Sequence, residues 1–589
     1  MKNILKSLER KFLFPIWKEI PYILLIWFLL KPYLFRNLFS FPPQCDLEEL
    51  FLYETGIPGD FYVAGCVAIA FAIILGSIKS FVIRRAFKIL TYVVIGFLFV
   101  VRLFLSYMFE MDITPMTVNM LLETNPSESV GFFNTFLFNE TGCVYAVLFF
   151  LLGACIYVIE YLWNRWHKRL YGVWSNVFLL LGIMLMGGGI KSLPYVTAIR
   201  GTTGINTVLG SLNTAIRVCS FSKYTEQFNE RIVSIENNKE RFQCDEDSLF
   251  LVLVIGESFI KYHSSLYGYD IPTMPRMQKE ENAGRLTKYE DIVSSYNWTT
   301  PAMRSMMCLN DMSKGEDWYS GVFWLQLFKK AGYNVFFWDN QKSDDKKYPG
   351  AFFEMHLPFT ERHCYTKVNE KTFDYDDGLI SDFFNDMPAI KGNNIVCFHL
   401  KGQHFPFEEK CPEDLKVFDG NIVPSKGRSF LNEKKKQQIA EYDNSILYSD
   451  SVLYHIVAEI ADKNSIMIFL SDHGEEVYDY RNASSRPPLD SKHVVECLHF
   501  QYDVPFLIWT SSTYQKLHPQ LVEQIRDSKM LKGSVDNLGM TMLKLGSVHT
   551  TFYNPIRDII STDYVPGKRL IYQRNSESSL DYDKEMENS

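Results

Sequence analysis

The stretch Ile466-Met467-Ile468-Phe469-Leu470-Ser471-Asp472-His473-Gly474-Glu475-Glu476 decides the fold of this 589-residue chain. Its first five residues form an apolar, β-type run, and Asp472 and His473 follow almost directly. In an α/β sheet, ligand-binding side chains come just after the carboxyl ends of the strands. The pattern therefore predicts a buried strand that delivers Asp472 and His473 to one edge of a sheet.

A second run ends in the same way. Phe250-Leu251-Val252-Leu253-Val254-Ile255 is followed by Gly256-Glu257-Ser258, about 215 residues before Asp472. Taken alone, Glu257 could cap a helix, and Asp472-His473 could form a surface turn. Their shared position after apolar strands favours one metal site. Carboxylate and imidazole ligands suit Zn²⁺, with Mn²⁺ as the second choice.

Apolar strand-like runs alternate with helical patterns from residue 249 onward. The clearest runs are 250–255, 334–338, 394–398, 466–470 and 504–509. Strands separated by helices predict an α/β domain whose mostly parallel sheet is covered on both faces.

A candidate nucleophile lies in Asn297-Trp298-Thr299-Thr300-Pro301. Because Pro is tolerated in the first turn of a helix, a helix is expected to begin here and to offer its N–H groups to an anion. A threonine hydroxyl bound to zinc would have a lowered pKa and could attack phosphorus. The alternative is that Thr299 or Thr300 only caps the helix.

Three histidines are further candidates. His404 follows the run 394–398 in the segment Gly402-Gln403-His404-Phe405-Pro406, and could contact a phosphate oxygen. His493 and His499 lie in a segment without clear periodicity, from which either could close the site. A structural role is the alternative for each.

The first 200 residues contain five segments long and apolar enough to cross a bilayer, which takes about 20 residues. They lie at about 18–36, 61–82, 88–108, 144–163 and 173–193. The loops alternate between basic and acidic, so the positive-inside rule predicts a cytoplasmic N-terminus and an exported part after about residue 195. The net charge of −8 gives no reason to expect nucleic-acid binding.

The chain resembles the phosphoethanolamine transferases, inner-membrane enzymes of Gram-negative bacteria with an alkaline-phosphatase/sulfatase-like periplasmic domain. The resemblance rests on Ile-Gly-Glu-Ser with His263, on Ser-Asp-His-Gly-Glu-Glu-Val-Tyr-Asp, and on Val-Pro-Phe-Leu-Ile-Trp-Thr. It covers nearly the whole chain and looks closest to members that modify the lipopolysaccharide core. It implies a multi-pass protein of the bacterial inner membrane with its catalytic domain in the periplasm.

The resemblance also implies roles for single residues. Glu257, Thr299, Asp472 and His473 would hold one tight Zn²⁺, with a second ion left open. Thr299 would be the nucleophile, with Thr300 as the alternative. His404 would bind or protonate the substrate phosphate, and His493 or His499 would be a second substrate-binding histidine.

In the second exported loop, Thr124 and Glu128 keep the spacing of the family's substrate-binding motif, whereas Asn119 lies one residue away from its expected place. The expected organisation is a transmembrane domain at 1–195, linker helices at 196–245, a sulfatase-like catalytic domain at 246–572 and a mobile tail at 573–589.

The predicted activity is transfer of phosphoethanolamine from phosphatidylethanolamine to a glycolipid acceptor, lipid A or lipopolysaccharide core, by a monomer through a covalent intermediate. Two other hypotheses stay open. One is a phosphoglycerol transferase, phosphodiesterase or sulfatase of the same fold, although a sulfatase would need Cys or Ser in place of Thr299. The other is an inactive membrane-anchored binding protein.

Overall fold

The structure is a computed structural model. It describes residues 17–30, 58–109, 142–167, 224, 226–240, 242–341, 360–386, 391–487, 489–573 and 579–588. The described residues up to 167 belong to one compact unit, and those from 224 onward belong to a second.

Fifteen helices are labelled in chain order. They are α1 Ile20–Leu29, α2 Pro58–Ser77, α3 Phe81–Phe109, α4 Gly142–His167, α5 226–236, α6 Pro275–Asn282, α7 Thr299–Met307, α8 Trp324–Lys330, α9 Asp376–Asp386, α10 Glu433–Ile460, α11 Val494–Tyr502, α12 Ser512–Leu517, α13 Pro519–Asp527, α14 Leu538–Leu545 and α15 Tyr582–Asn588.

Fifteen strands are labelled in the same way. They are β1 Gln243–Cys244, β2 Phe250–Gly256, β3 Leu286–Tyr289, β4 Ile292–Val293, β5 Asn334–Asp339, β6 Lys367–Val368, β7 Asn394–His399, β8 Ser465–Ser471, β9 Glu476–Val477, β10 Ser484–Ser485, β11 Phe506–Thr510, β12 Gly533–Ser534, β13 Val548–His549, β14 Leu570–Tyr572 and β15 Ser579–Asp581.

Apolar helices make up the first unit. Two of them, Phe81–Leu105 and Gly142–His167, are long and apolar enough to cross a membrane. Only the 10-residue helix α1 is described in the first predicted span, and the fifth predicted span lies outside the described residues. The structure therefore supports two of the five predicted spans by length and composition.

The boundaries of the second and third spans differ from those predicted. Helix α2 ends at Ser77, not at 82, and α3 already begins at Phe81. Lys88, the first residue of the third predicted span, lies inside α3, where its Nζ contacts Glu19 Oε2 at 2.7 Å and Glu160 Oε2 at 2.8 Å. A lysine that pairs with two carboxylates from other helices ties the helix ends together inside an apolar bundle.

A seven-stranded sheet forms the centre of the second unit, in the order β3-β11-β8-β2-β7-β5-β6. The pairs from β8 through β6 are parallel, but β11 runs antiparallel to both β8 and β3. The sheet is thus mixed: four of its six strand pairs are parallel, as expected for a mostly parallel sheet, and the run 504–509 forms the antiparallel strand β11. The N–H of Gly474 donates to the carbonyl of Gln501, so the chain re-enters β11 from the edge at which β8 ended.

Every residue of β2 and β8 is buried, as expected for apolar strands covered on both faces. On one face, a core that includes Phe328, Met303 and Leu543 packs against the sheet. On the other face, the 28-residue helix α10 contributes Ile446 and Leu453 to a second core. These two layers hold β2 and β8 in a fixed register, with Gly256 opposite Ser471.

Within the predicted mobile tail, 573–589, residues 579–588 form secondary structure. Strand β15 pairs with β14, and helix α15 follows it. Tyr582 is buried, and its hydroxyl donates to Asp503. Burial of an aromatic side chain holds this polar segment against the domain, which the polar composition of the tail did not reveal.

Candidate metal centre

The register of β2 and β8 brings distant acidic residues together. Because Gly256 lies opposite Ser471, Glu257 and Asp472 leave the same edge of the sheet on neighbouring strands. One ligand atom each of Glu257, Asp472 and His473 lies within 4.8 Å of the others, and all three residues are buried. The two runs that the sequence singled out therefore deliver their polar side chains to one point.

The lone pairs in this cluster converge. His473 Nδ1 contacts the carbonyl of Gly474 at 2.8 Å, which favours the tautomer with the proton on Nδ1 and a free lone pair on Nε2. That Nε2 lies 3.1 Å from Asp472 Oδ2 and 3.4 Å from Glu257 Oε1. Asp472 Oδ2 is buried and has no hydrogen-bond partner in the described part of the chain. Acceptor atoms that face one another in a dry site fit a bound cation.

Burial and charge set the ionisation of the cluster. Burial, followed by the neighbouring Glu257 carboxylate, raises the pKa of Asp472 well above its ordinary value. Burial and the nearby Arg486 lower the pKa of His473 to about 3, so the imidazole is neutral and can ligate. A divalent cation would let both carboxylates ionise. Two carboxylates and one imidazole are zinc ligands.

The nucleophile candidate lies beside the same cluster. Thr299 Oγ1 donates to Glu257 Oε2 at 2.9 Å and lies 3.4 Å from His473 Nε2. Trp298, not Thr299, is the N-cap residue of α7, and no side chain caps this helix. The hydroxyl of Thr299 therefore faces the cluster at the N-terminus of a nine-residue helix, where the dipole favours negative charge. Thr300 is buried in the first turn.

The backbone around Glu257 is unusual. Ser258 has a φ of 57°, which is rare for a non-glycine residue and is found at functional sites. Its N–H donates to Asp472 Oδ1 at 3.1 Å, and its hydroxyl donates to Glu257 Oε1 at 2.7 Å. The conformation of Ser258 thus fixes both carboxylates.

Gly402 lets the loop after β7 approach Glu257. Its φ is +49°, and a Cβ at this position would lie 2.7 Å from the backbone nitrogen of Glu257. The close approach brings His404 near enough to act electrostatically on Glu257 and His473. His404 Nδ1 contacts the carbonyl of Phe405 at 2.9 Å.

His493 and His499 do not contact the cluster in the described structure. The ring of His493 packs against Tyr480, with 5.5 Å between centroids, and the ring of His499 packs 5.2 Å from that of Tyr262. Asn119, Thr124 and Glu128 lie outside the described residues.

Two residues at the centre were not predicted from the sequence. Gln341 follows β5, and its Nε2 donates to Glu257 Oε2 at 3.3 Å and to the carbonyl of Leu400 at 2.6 Å. Arg486 Nη1 donates to Ser258 Oγ at 2.9 Å and to Glu475 Oε2 at 3.0 Å. For Gln341, the position after an apolar strand was an available signal. Arg486 follows no such strand.

The profile of the sulfatase family matches residues 250–548, about half of the chain, and the chain belongs to this family. The resemblance to phosphoethanolamine transferases is confirmed by the relatives within it. The chain is 28% identical over 349 residues to phosphoethanolamine transferase EptC of Escherichia coli K12. That alignment covers 56% of this chain and 57% of the relative. Phosphoethanolamine transferase CptA of Salmonella typhimurium is 28% identical over 348 residues, with the same coverage.

Solved structures show the same fold. The zinc complex of the C-terminal periplasmic domain of E. coli EptC is 25% identical, has a TM-score of 0.50, and covers 58% of this chain and 95% of that domain. The integral membrane protein lipooligosaccharide phosphoethanolamine transferase A from Neisseria meningitidis has a TM-score of 0.58 at 17% identity, and covers 92% of this chain and 99% of its own. The second likeness speaks for the fold alone.

Proposed function

We propose that this protein transfers phosphoethanolamine from phosphatidylethanolamine to a glycolipid, through a covalent intermediate on Thr299. The observation that carries the proposal is the position of the Thr299 hydroxyl, 2.9 Å from Glu257 Oε2 and 3.4 Å from His473 Nε2 at a helix N-terminus. A nucleophile that faces both a carboxylate cluster and free backbone N–H groups suits attack on a phosphodiester. The names of EptC and CptA support phosphoethanolamine as the group transferred.

Glu257, Asp472, His473 and Thr299 would hold the zinc ion. The zinc complex of the EptC domain supports this choice of metal, and the converging lone pairs of the cluster fit it. When bound, zinc would lower the pKa of the Thr299 hydroxyl and neutralise charge on the phosphoryl oxygens.

In the first half-reaction, Thr299 Oγ attacks the phosphorus of phosphatidylethanolamine. The Oγ–P bond forms while the bond from phosphorus to the diacylglycerol oxygen breaks. Glu257 Oε2 accepts the hydrogen bond of the hydroxyl and orients the oxygen, and the hydroxyl proton is lost to solvent before the attack. The diacylglycerol leaves as an alcohol after it receives a proton from His404.

In the second half-reaction, an acceptor hydroxyl attacks the phosphoethanolamine-threonine. Its proton passes to His404, the bond between phosphorus and Thr299 Oγ breaks, and Thr299 leaves as the deprotonated oxygen with which the first half-reaction began. The acceptor class follows from relatives whose names contain it, among them the Kdo(2)-lipid A phosphoethanolamine 7''-transferase of S. typhimurium.

The site would act at a membrane surface. Helices α3 and α4 are long and apolar enough to anchor the chain, and the alternating loop charges support a periplasmic second unit in an inner-membrane protein. An anchor concentrates the active site where the lipid donor lies.

The test uses full-length protein reconstituted into vesicles that contain either phosphatidylethanolamine or phosphatidylglycerol, with diacylglycerol release as the readout. We expect release from phosphatidylethanolamine vesicles only, loss of release with a zinc chelator, and recovery when zinc is added back. Release from phosphatidylglycerol alone would instead indicate a phosphoglycerol transferase. No release from either lipid by zinc-loaded protein would contradict lipid-donor transfer.

A further inference from the structure

Arg486 is a buried arginine at the metal centre with no role in the chemistry described above. Its side chain is only 9% exposed. Nη1 donates to Ser258 Oγ at 2.9 Å and to Glu475 Oε2 at 3.0 Å. Nη1 also lies 3.4 Å from both ring nitrogens of His473. If Nη1 lay in the plane of the His473 ring at this distance from both nitrogens, it would collide with Cε1. Nη1 therefore lies over the face of the ring. The Nε2 lone pair of His473 therefore stays available for a metal.

The chain returns to the centre through a short ribbon. Strand β10 pairs antiparallel with β9, and Ser485 lies opposite Glu476. The next residue on the returning strand, Arg486, therefore comes to lie beside Glu475. Two contacts, to Glu475 and Ser258, then fix the guanidinium in place.

One edge of this guanidinium is not used. Nε is buried and has no hydrogen-bond partner in the described structure. Among the described residues, only Nη1 of this guanidinium takes part in hydrogen bonds. In arginine, Nε and the second terminal nitrogen form the flat edge that binds a carboxylate or phosphate through two parallel hydrogen bonds. A buried donor without a partner is costly unless a ligand supplies the acceptor.

The guanidinium of Arg486 lies close to Thr299, the proposed nucleophile. Thr299 Oγ1 and Arg486 Nη1 each lie 3.4 Å from His473 Nε2. The two atoms are therefore no further apart than twice that distance. A phosphoryl group attached to Thr299 Oγ would therefore be close enough for its oxygens to reach this guanidinium.

We propose that Arg486 is a further catalytic residue that binds the non-bridging phosphoryl oxygens through its Nε edge and stabilises the charge that develops on them in both half-reactions. The proposal rests on the proposed function for the identity of the phosphoryl group, but the oxyanion site itself does not depend on the head group. Preorganised donors of this kind act on the charge of the transition state.

The test compares Arg486→Lys with Arg481→Lys in zinc-loaded, full-length protein. Arg481 is the matched control, because it belongs to the same ribbon and pairs with Glu476 at 2.7 Å through a buried guanidinium. Inorganic phosphate and orthovanadate are the probes, since neither carries a head group, and calorimetry gives their Kd values. Bound zinc and the thermal midpoint are measured on each sample.

We expect Arg486→Lys to weaken phosphate binding by about 10-fold or more and vanadate binding by about 100-fold, with zinc unchanged. Arg481→Lys should bind both probes as the wild type does. Arg486→Gly should regain vanadate binding when guanidinium ion is added well below denaturing concentrations. Wild-type affinity for both probes in Arg486→Lys would overturn the proposal. Loss of zinc in Arg486→Lys would also overturn it, because the role would then be structural.

The failure of the proposed function has a different signature. Zinc-loaded protein that binds vanadate through Arg486 but releases no diacylglycerol from phosphatidylethanolamine contradicts the donor and leaves the oxyanion site standing. Zinc-loaded wild type that binds neither phosphate nor vanadate contradicts the oxyanion site itself.

Discussion

Asp472 is the residue whose surroundings most clearly require a cation. Its Oδ2 is buried without a hydrogen-bond partner among the described residues, 3.1 Å from His473 Nε2. Without a metal, a proton on Asp472 would have to separate these two acceptors, and a bound cation can take the place of that proton. The carboxylate is therefore suited to bind a metal by its position as well as by its residue type.

Asp472→Asn should lower the zinc content of the purified protein to well below one ion per chain, because an amide cannot supply the negative charge that the cation needs. Elemental analysis of metal stoichiometry is the measurement. Asp450→Asn is the control, since Asp450 is buried in the same unit but accepts from the backbone N–H groups of Arg276 and Met277. Equal zinc in both variants would count against the cluster as the metal site.

Some residues of the candidate site could be predicted from the sequence, and others could not. Glu257, Asp472 and His473 were predictable because each comes one to three residues after an apolar strand, where side chains meet at the sheet edge. Arg486 was not, because its place depends on the pairing of β9 with β10, and two-residue strands have no recognisable periodicity. His493 and His499 are near Arg486 in sequence, but their rings pack against Tyr480 and Tyr262 instead.

Among the larger elements, the loop after β7 depends on one glycine. Gly402→Ala should reduce both thermal stability and zinc affinity, because its Cβ would lie 2.7 Å from the Glu257 nitrogen and 2.8 Å from its carbonyl oxygen. Gly427→Ala is the control, since Gly427 also has a positive φ, +83°, but faces open space. Both variants should show the cost of an alanine at positive φ, about 1 kcal/mol or more. If zinc affinity falls no further in Gly402→Ala than in Gly427→Ala, the close contact between Gly402 and the backbone of Glu257 does not support the metal site.

A buried triad of His263, Asp443 and Asp479 connects the segment after β2, helix α10 and the loop after β9. His263 lies 2.6 Å from Asp443 on α10 and 2.6 Å from Asp479 on the loop after β9. Burial alone would lower the pKa of His263, but Asp479 and Asp443 raise it to about 10. The imidazolium is thus charged at neutral pH and holds the Asp472 loop against the segment that follows Glu257.

This pKa predicts how stability changes with pH. Because the pKa of His263 is higher in the folded protein than the ordinary 6.5, its stabilisation is complete below about pH 6.5 and is lost as pH rises toward 10. The loss amounts to at most about 1.4 kcal/mol per pH unit in this window. Thermal unfolding of wild type and His263→Gln between pH 7 and 9.5 measures it.

His263→Gln should be less stable at pH 7 and should lose less stability on going to pH 9.5. His455→Gln is the control, since His455 pairs with Asp377 at a partly exposed position and should leave the slope unchanged. Identical pH slopes in wild type and His263→Gln would refute the charged triad.

Element directions were only partly predictable. The five apolar runs predicted the central strands, but the reversal of β11 depends on the contact of Gly474 with Gln501, which joins residues far apart in sequence. Likewise, residues 579–588 pack against the domain with the side chain of Tyr582 buried. Local patterns reveal strands and helices, whereas such long-range contacts set their direction and packing.

For the molecule as a whole, charge and hydropathy divided the chain into an apolar first part and an α/β second part. The sequence supplied the membrane anchor and the catalytic fold as separate predictions. The structure supports the fold of the second unit in detail and two spans of the first. The proposed function connects the two parts, since a membrane anchor would keep the proposed nucleophile, Thr299, where a lipid donor is found.

The most direct test of this account is the intact mass of zinc-loaded, full-length protein after incubation with phosphatidylethanolamine. Wild type and Thr300→Ala should gain the mass of one phosphoethanolamine group, and Thr299→Ala should gain none while it keeps its zinc and its fold, because a partly exposed hydroxyl contributes little to stability. An adduct on Thr299→Ala but not on Thr300→Ala would move the nucleophile by one residue. No adduct on zinc-loaded wild type would contradict the covalent mechanism with this donor.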